Sequence, residues 1–254
     1  MAYDLSKLAK PDGNRPIIAT LFGEAGVGKT TLAAMFPKPV FIRTEDGTQS
    51  LVGHPDVSLF PLAATSQEVF DQIEALATGD HDFKTVVLDS ITQLSSLIEG
   101  EIVAADPKAK SINQAGGGYG AGYGAAATVH GRIRDWMGAL AYERGMNIVF
   151  VGHADTETMD LPDSDPYSRY TVRLHKKVIP HYTDNVDLVG FVRLKTFVRG
   201  TDEKKRAIST GERELIAYPM ASNVSKNRFG ITEPLPFDLN GGNPLAPYLA
   251  QNKG

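Results

Sequence analysis

The run Gly23-Glu24-Ala25-Gly26-Val27-Gly28-Lys29-Thr30 constrains this chain more than any other, because it fits the phosphate-binding pattern G-x-x-x-x-G-K-[ST]. Such a loop works where a strand delivers it and a helix receives it. Its glycines let the backbone turn so that successive N–H groups face one concavity, while the lysine reaches the β- and γ-phosphates and the hydroxyl ligates Mg²⁺. The flanks supply that setting. Residues 17–22 read as a buried strand, and residues 31–36 as a helix stopped by Pro37, its positive end facing the phosphates. Residues 23–31, through Thr31, are therefore expected to bind a nucleoside triphosphate, taken as ATP, with Lys29 on the phosphates and Thr30 on Mg²⁺.

The first two-thirds of the chain alternates strand and helix signals, the pattern of a mostly parallel sheet covered on both faces. Strands are expected at 40–44, at 57–60 (closed by Pro61), at 85–89 and at 147–153. The capping box Thr65-Ser66-Gln67-Glu68 opens a helix to about residue 77, a second runs from about 90 to 103, and a third ends near 144. Between them lie two segments read as long loops, 105–124 and 154–170, and the remainder reads as β-rich. The expected fold is thus α/β, a mostly parallel central sheet flanked by helices with an antiparallel β-rich C-terminal extension. Its core spans 16–238, with an N-terminal arm at 1–15 and a surface tail at 239–254.

Composition bounds the function classes. With 254 residues and 42% hydrophobic content, the chain buries a core without disulfide or metal. It has no cysteine, which excludes disulfides, thiol catalysis and zinc–thiolate sites and fits the cytoplasm. It lacks a signal-peptide h-region, and its apolar runs are too short to span a bilayer. The net charge of −4 argues against an overall basic coat, leaving nucleic-acid contacts to local loops.

Three further residues end strands where open parallel sheets bind ligands. Asp89 ends the most apolar strand and suits the Walker B role, holding Mg²⁺ beside Thr30; the alternative is a helix cap. Glu45 ends the strand after the loop helix and suits a base for the attacking water, with Asp46 a competitor. His153 ends its strand and could report the γ-phosphate, or serve only as a hydrogen-bonded structural residue.

These stretches resemble the RecA-like ATPase core. Phe41-Ile42-Arg43-Thr44-Glu45-Asp46-Gly47 is similar to the strand of bacterial RecA recombinase that ends in its catalytic glutamate. Val86-Val87-Leu88-Asp89-Ser90-Ile91 is similar to that family's Walker B strand, and Ser225-Lys226-Asn227-Arg228-Phe229-Gly230 resembles the Lys-x-Arg finger of RecA-like and DnaB-type ring ATPases. The likeness covers residues 15–238 and is greatest to small phage ATPases that act in single-strand annealing. It implies Glu45 as catalytic base, His153 as sensor where RecA has glutamine, and Lys226 and Arg228 acting in trans on a neighbouring subunit's nucleotide. RecA's large C-terminal domain has no counterpart in this sequence.

The resemblance further implies two DNA-facing loops, at 105–124 and 154–177. The first carries Lys108, Lys110, Tyr119 and Tyr123 in a glycine background, where tyrosines can stack on bases; the alternative is a flexible linker. The second carries Arg169, Arg173, His175, Lys176 and Lys177, preceded by five acids. Expected partners are single-stranded DNA, further copies of the chain with nucleotide at their interface and, by resemblance, a single-strand-binding protein. A nucleotide-gated assembly module without DNA and a DnaB-like ring helicase motor are the competing readings.

Overall fold

Alternate side chains of the central strands go to opposite faces, and each face meets its own set of helices. In β4 (Thr85–Asp89), Val86 and Leu88 join one core while Val87 joins the other. The same sorting separates Ile18 and Phe22 from Ala19 and Leu21 in β1 (Ile18–Gly23), and Val40 and Ile42 from Phe41 in β2 (Pro39–Arg43). Burying each such large apolar side chain contributes about 1.5–3 kcal/mol. A computed structural model describes residues 15–163, 165–199 and 206–249, together with Asp4, Ser6, Leu8 and Gly13. Most of the arm expected at 1–15, and residues 250–254 of the expected tail, lie outside the described residues.

The first core packs α2 (Ser66–Thr78), α3 (Ile91–Ala105) and α4 (Ala121–Glu143) on the sheet through Val69, Ile73, Leu94, Ile98, Ile133 and Met137. Helix α2 starts as the capping box predicts, with Thr65 Oγ1 accepting from Glu68 N at 3.1 Å; Glu68 itself accepts from Ala64 N. Ser90 caps α3 in the same way, accepting from Gln93 N. The second core packs α1 (Lys29–Ala34) through Leu32 and Ala33 and also takes in Ile231, Phe237 and Leu245. The C-terminal segment is therefore more than a surface covering. Leu245 is fully buried, and Tyr248 meets Phe229 at 5.9 Å between ring centres.

The remaining elements are β3 (Ser58–Leu62), β5 (Asn147–Met159), β6 (Tyr167–Val172), α5 (Ile179–Thr183), β7 (Leu188–Arg199), β8 (Arg206–Ile216), β9 (Lys226–Asn227) and β10 (Leu235–Phe237). The sheet order is β10-β8-β7-β1-β5-β4-β2-β3, with β6 added to β5 and β9 to β7. Pairs from β7 through β3 are parallel, whereas β8 and β10 continue the sheet antiparallel, as expected of the C-terminal extension. The register aligns the strand ends on one edge. Gly23 stands opposite His153 and Val192, and Asp89 opposite Arg43 and Val151.

One expectation fails. Residues 154–170 do not form a long loop: β5 continues through Met159 and pairs antiparallel with β6. Cross-strand pairing explains it, because Glu157 lies opposite Arg169 and accepts from its Nε at 2.7 Å. The proposed DNA-facing segment 154–177 is thus mostly a hairpin. Likewise α4 begins at Ala121, so Tyr123 is helical and the first loop is shorter than 105–124.

Candidate nucleotide site

The C-terminal edge of the parallel strands gathers residues that are distant in sequence. Gly28, Lys29, Thr30, Glu45, Asp89 and His153 line one cavity of about 400 Å³, together with Leu239 from the C-terminal segment. The loop backbone requires its glycines: Gly26 and Gly28 have φ of 77° and 97°, the left-handed region that other residues rarely adopt. At Gly28 an added Cβ would also stand 2.7 Å from Leu239 Cδ2.

Lys29 is buried, and its Nζ donates to the Glu24 carbonyl at 2.7 Å. Burial pushes its pKa down, opposed by the charges of Asp89 and Glu45. Thr30 Oγ1 donates to Asp89 Oδ2 at 2.7 Å, while Asp89 Oδ1 is buried without a partner. Burial raises the Asp89 pKa to about 6. A buried carboxylate oxygen lacking a partner, beside a hydroxyl, suits a hard cation such as Mg²⁺. Among the described residues no cluster of three His, Asp or Glu could hold a metal alone. Thr30 and Asp89 would therefore share Mg²⁺ with phosphate oxygens. The Asp89–Ser90 peptide is cis.

Glu45 Oε1 lies 3.4 Å from His153 Nε2. The hydrogen bond from His153 holds the Glu45 carboxyl below the usual carboxylate range, against burial and aided by Ser90. Thr44, which sequence reading passed over, fixes this pair relative to Asp89. Its Oγ1 donates to the Ser90 carbonyl at 2.7 Å and accepts from Ser90 N at 3.0 Å, and its backbone N donates to the Asp89 carbonyl. Nothing in the sequence marks it. Asp46, the competing base, is exposed and lies 3.6 Å from Arg43 outside the cavity. Leu239 was also missed, although Leu235, Phe237 and Leu239 alternate as a strand does.

Lys226 and Arg228 are not brought to this site. Strand β9 pairs with the first residues of β7, Lys226 opposite Val189, and Leu188 stands beside Ala19. The pair therefore sits at the end of β1 opposite the phosphate loop. Lys226 Nζ donates to the Asp184 carbonyl, and Arg228 Nη1 to Asp187 Oδ1 at 3.1 Å.

The residues expected to face DNA divide. Tyr123 stacks on His175 with ring centres 3.9 Å apart, and Lys177 Nζ donates to the Gly120 carbonyl at 3.0 Å, so the two segments meet on one surface. Tyr119 is fully exposed there, and Lys108, Lys110, Lys176 and Lys177 are also exposed. Arg169 is tied to Glu157. Arg173 donates to the Ala154 carbonyl and is close enough to Lys29 for its charge to disfavour that of the lysine, so it belongs to the nucleotide side.

A glycine-rich loop between a buried strand and a helix, with a hydroxyl and a buried carboxylate side by side beneath it, defines a P-loop nucleotide-binding protein of α/β class. The chain belongs to the AAA domain family, whose model matches residues 15–229. It is a P-loop ATPase by that membership. No curated protein matches the chain. Among the described residues no helix is long and apolar enough to cross a membrane.

Proposed function

We propose that the chain is a Mg²⁺-dependent ATPase of the RecA-like kind, stimulated by single-stranded DNA and acting in annealing or homologous pairing of phage-type recombination in a bacterial cytoplasm. The observation that carries this reading is the convergence of Lys29, Thr30, Asp89, Glu45 and His153 on one cavity. In it, the amides of residues 24–31 and Lys29 bind the β- and γ-phosphates, and Lys29 leaves the Glu24 carbonyl to do so. Thr30 and Asp89 hold Mg²⁺, which when bound neutralises charge on the phosphate oxygens. A neighbouring cavity of about 380 Å³ shares Leu239 and adjoins Val52, His54 and Asn240, giving the nucleoside a place to lie.

Glu45 accepts a proton from the water that attacks the γ-phosphorus as the bond to the β–γ bridging oxygen breaks, leaving ADP and phosphate. His153 keeps Glu45 ionised and aimed. Lys226 and Arg228, far from their own cavity, serve the nucleotide of the next copy. Tyr119, the Tyr123–His175 stack, Lys108, Lys110, Lys176 and Lys177 offer single-stranded DNA a stacking platform and phosphate contacts. A single-strand-binding protein is a further proposed partner.

The experiment is ATP hydrolysis with and without single-stranded DNA across a salt series, alongside Glu45→Gln. Stimulation that fades with salt and vanishes in the variant supports the reading. Equal rates with and without DNA would instead favour a nucleotide-gated assembly module, a reading with its own support in the internal pairing of Arg169 with Glu157.

A further inference from the structure

Leu215 and Arg213 share the face of β8 that looks onto the second core, and Phe237 of β10 stands opposite Arg213 on that face. The apolar row thus ends in a guanidinium, and it ends against the phosphate loop. An added Cβ at Gly28 would lie 3.4 Å from both Cδ and Nε of Arg213 and 2.7 Å from Leu239 Cδ2. Arg213 is half-buried, and its Nε is buried without an acceptor. Among the described residues its one acceptor is the Gly211 carbonyl, 3.4 Å from Nη1. Arg213 also lines a cavity of about 500 Å³ with Lys195, Pro236 and Asp238, which gives the guanidinium room to turn.

A guanidinium stays protonated at every accessible pH, so a structural arginine at the edge of a core is normally matched by an acid. This one is not. Of the acids flanking it in β8, Glu212 pairs with Lys195 and Glu214 with Arg193. Asp238 is exposed and, among the described residues, forms no bond to Arg213. The cation is left unneutralised beside a loop whose backbone amides are arranged for anions.

We infer that Arg213 binds the α-phosphate of the chain's own nucleotide, gripping the part that ATP and ADP have in common. The inference rests on the ATPase reading above. Position selects the α-phosphate. Glu45, Asp89 and His153 stand at the γ-phosphate end of the inner cavity, whereas Leu239 belongs both to that cavity and to the one assigned to the nucleoside. Where the two join, the phosphate chain meets the ribose, and there Arg213 and Leu239 approach the same side of Gly28. Nη1 exchanges its long bond to the Gly211 carbonyl for a charge-assisted one to a phosphate oxygen. The α-phosphate keeps its bonds while the γ-phosphoryl group leaves, so the contact is equal in ground and transition states. It strengthens binding and leaves the chemical step unchanged.

The test uses the full chain with Arg213→Met, which keeps a stem on Gly28 and removes the donors, and Arg213→Lys, which returns a cation. Arg213→Met should weaken ATP and ADP binding by the same factor, about tenfold to a hundredfold, as expected when a hydrogen bond from a charged donor goes. KM should rise by a similar factor with kcat unchanged, and Arg213→Lys should recover part of the loss. A second readout uses the two diastereomers of ADP that carry sulfur on the α-phosphorus, which differ in the α-oxygen replaced. The ratio of their affinities should change by more than about twofold between wild type and Arg213→Met, because the guanidinium favours oxygen at the position it touches. A ratio within one sample does not depend on how much of the variant is folded. ATP and ADP binding close to wild type in Arg213→Met, a loss confined to ATP, or an unchanged diastereomer ratio overturns the inference while leaving the ATPase reading in place. Wild type that binds no ATP, or Lys29→Ala that binds it normally, would overturn that reading itself and this inference with it.

Discussion

Glu45 Oε1 and His153 Nε2 lie 3.4 Å apart although β2, which Glu45 follows, and β5, which carries His153, are not neighbours in the sheet. Strand β4 runs between them and stops at Asp89, two residues short of the level Glu45 reaches. The end of β4 at Asp89 is what lets the carboxylate and imidazole meet beyond it. Because His153 donates to it, the Glu45 carboxylate is ionised through the neutral range, the state a proton acceptor requires.

Glu45→Gln should retain nucleotide binding and lose turnover by about 10²–10⁴, the contribution usual for a positioned acid or base. Single-turnover hydrolysis with a fluorescent-nucleotide binding assay separates the two. Undiminished hydrolysis would transfer the base role to another acid such as Asp46.

Asp89 carries a stability cost at neutral pH. Its folded-state pKa is about 6, above the ordinary 3.8, so between those values the folded chain holds a proton that the unfolded chain releases. Stability of the nucleotide-free protein therefore rises as pH falls from above 6 towards 3.8, as far as this group is concerned. Asp89→Asn should stabilise that form by up to about 3 kcal/mol at pH 8, with a smaller gain at pH 5, while losing Mg²⁺-dependent turnover. Melting curves of both proteins at the two pH values check it; a gap that does not widen at pH 8 contradicts it.

His130 has the opposite linkage. It is fully buried, with Nδ1 2.8 Å from the Tyr182 hydroxyl, and burial pushes its pKa down to about 3. Between about 6.5 and 3 the unfolded chain takes up a proton that the folded chain refuses, so this group lowers stability as pH falls, by up to about 1.4 kcal/mol per pH unit. Denaturant midpoints of wild type and His130→Gln from pH 7 to 4 should converge as pH falls. Parallel curves would locate the acid sensitivity elsewhere.

Gly28→Ala should weaken nucleotide binding and cost about 1–2 kcal/mol of stability, because φ of 97° suits glycine. Leu239→Ala tests the cause. It removes the side chain that the new Cβ would meet at 2.7 Å but leaves the backbone demand in place. The double variant should therefore bind no better than Gly28→Ala alone, and full rescue would make the defect steric.

Much of the nucleotide site was legible because its chemistry is local. A phosphate loop is eight consecutive residues, and Asp89 follows the apolar run Val86-Val87-Leu88, so spacing alone finds them. What could not be read is set by contacts between distant segments. Thr44 matters through its bonds to Ser90, a partner 46 residues away. The hairpin of β5 and β6 was hidden because Asp155 and Glu157 give its first strand the composition of a loop, although Thr156 and Thr158 alternate with them as β-branched residues do in strands. Its strands pair over six residues, with Glu157 and Arg169 neutralising each other across the ladder. The C-terminal segment looked superficial for its glycines, prolines and asparagines, yet Leu245 is fully buried in the second core, and Leu239 and Tyr248 pack against it.

Strand β1 has as its two sheet neighbours β5 and β7, paired through Ile148 and Leu188 with Ile18 and Ala19. Both partners are translated long after it. At roughly 5–20 residues per second, the ribosome takes about ten to thirty seconds after making β1 to finish β7. Until β5 is made the strand that carries the phosphate loop has neither edge paired, and until β7 follows one edge stays open, an apolar segment with exposed backbone donors and acceptors. Nucleotide cannot rescue it early, since the walls of the cavity are also unmade. A strand made before both of its neighbours is thus among the last elements to become fixed, and a nascent chain stalled before Leu188 should be a substrate for chaperones that hold extended apolar strands.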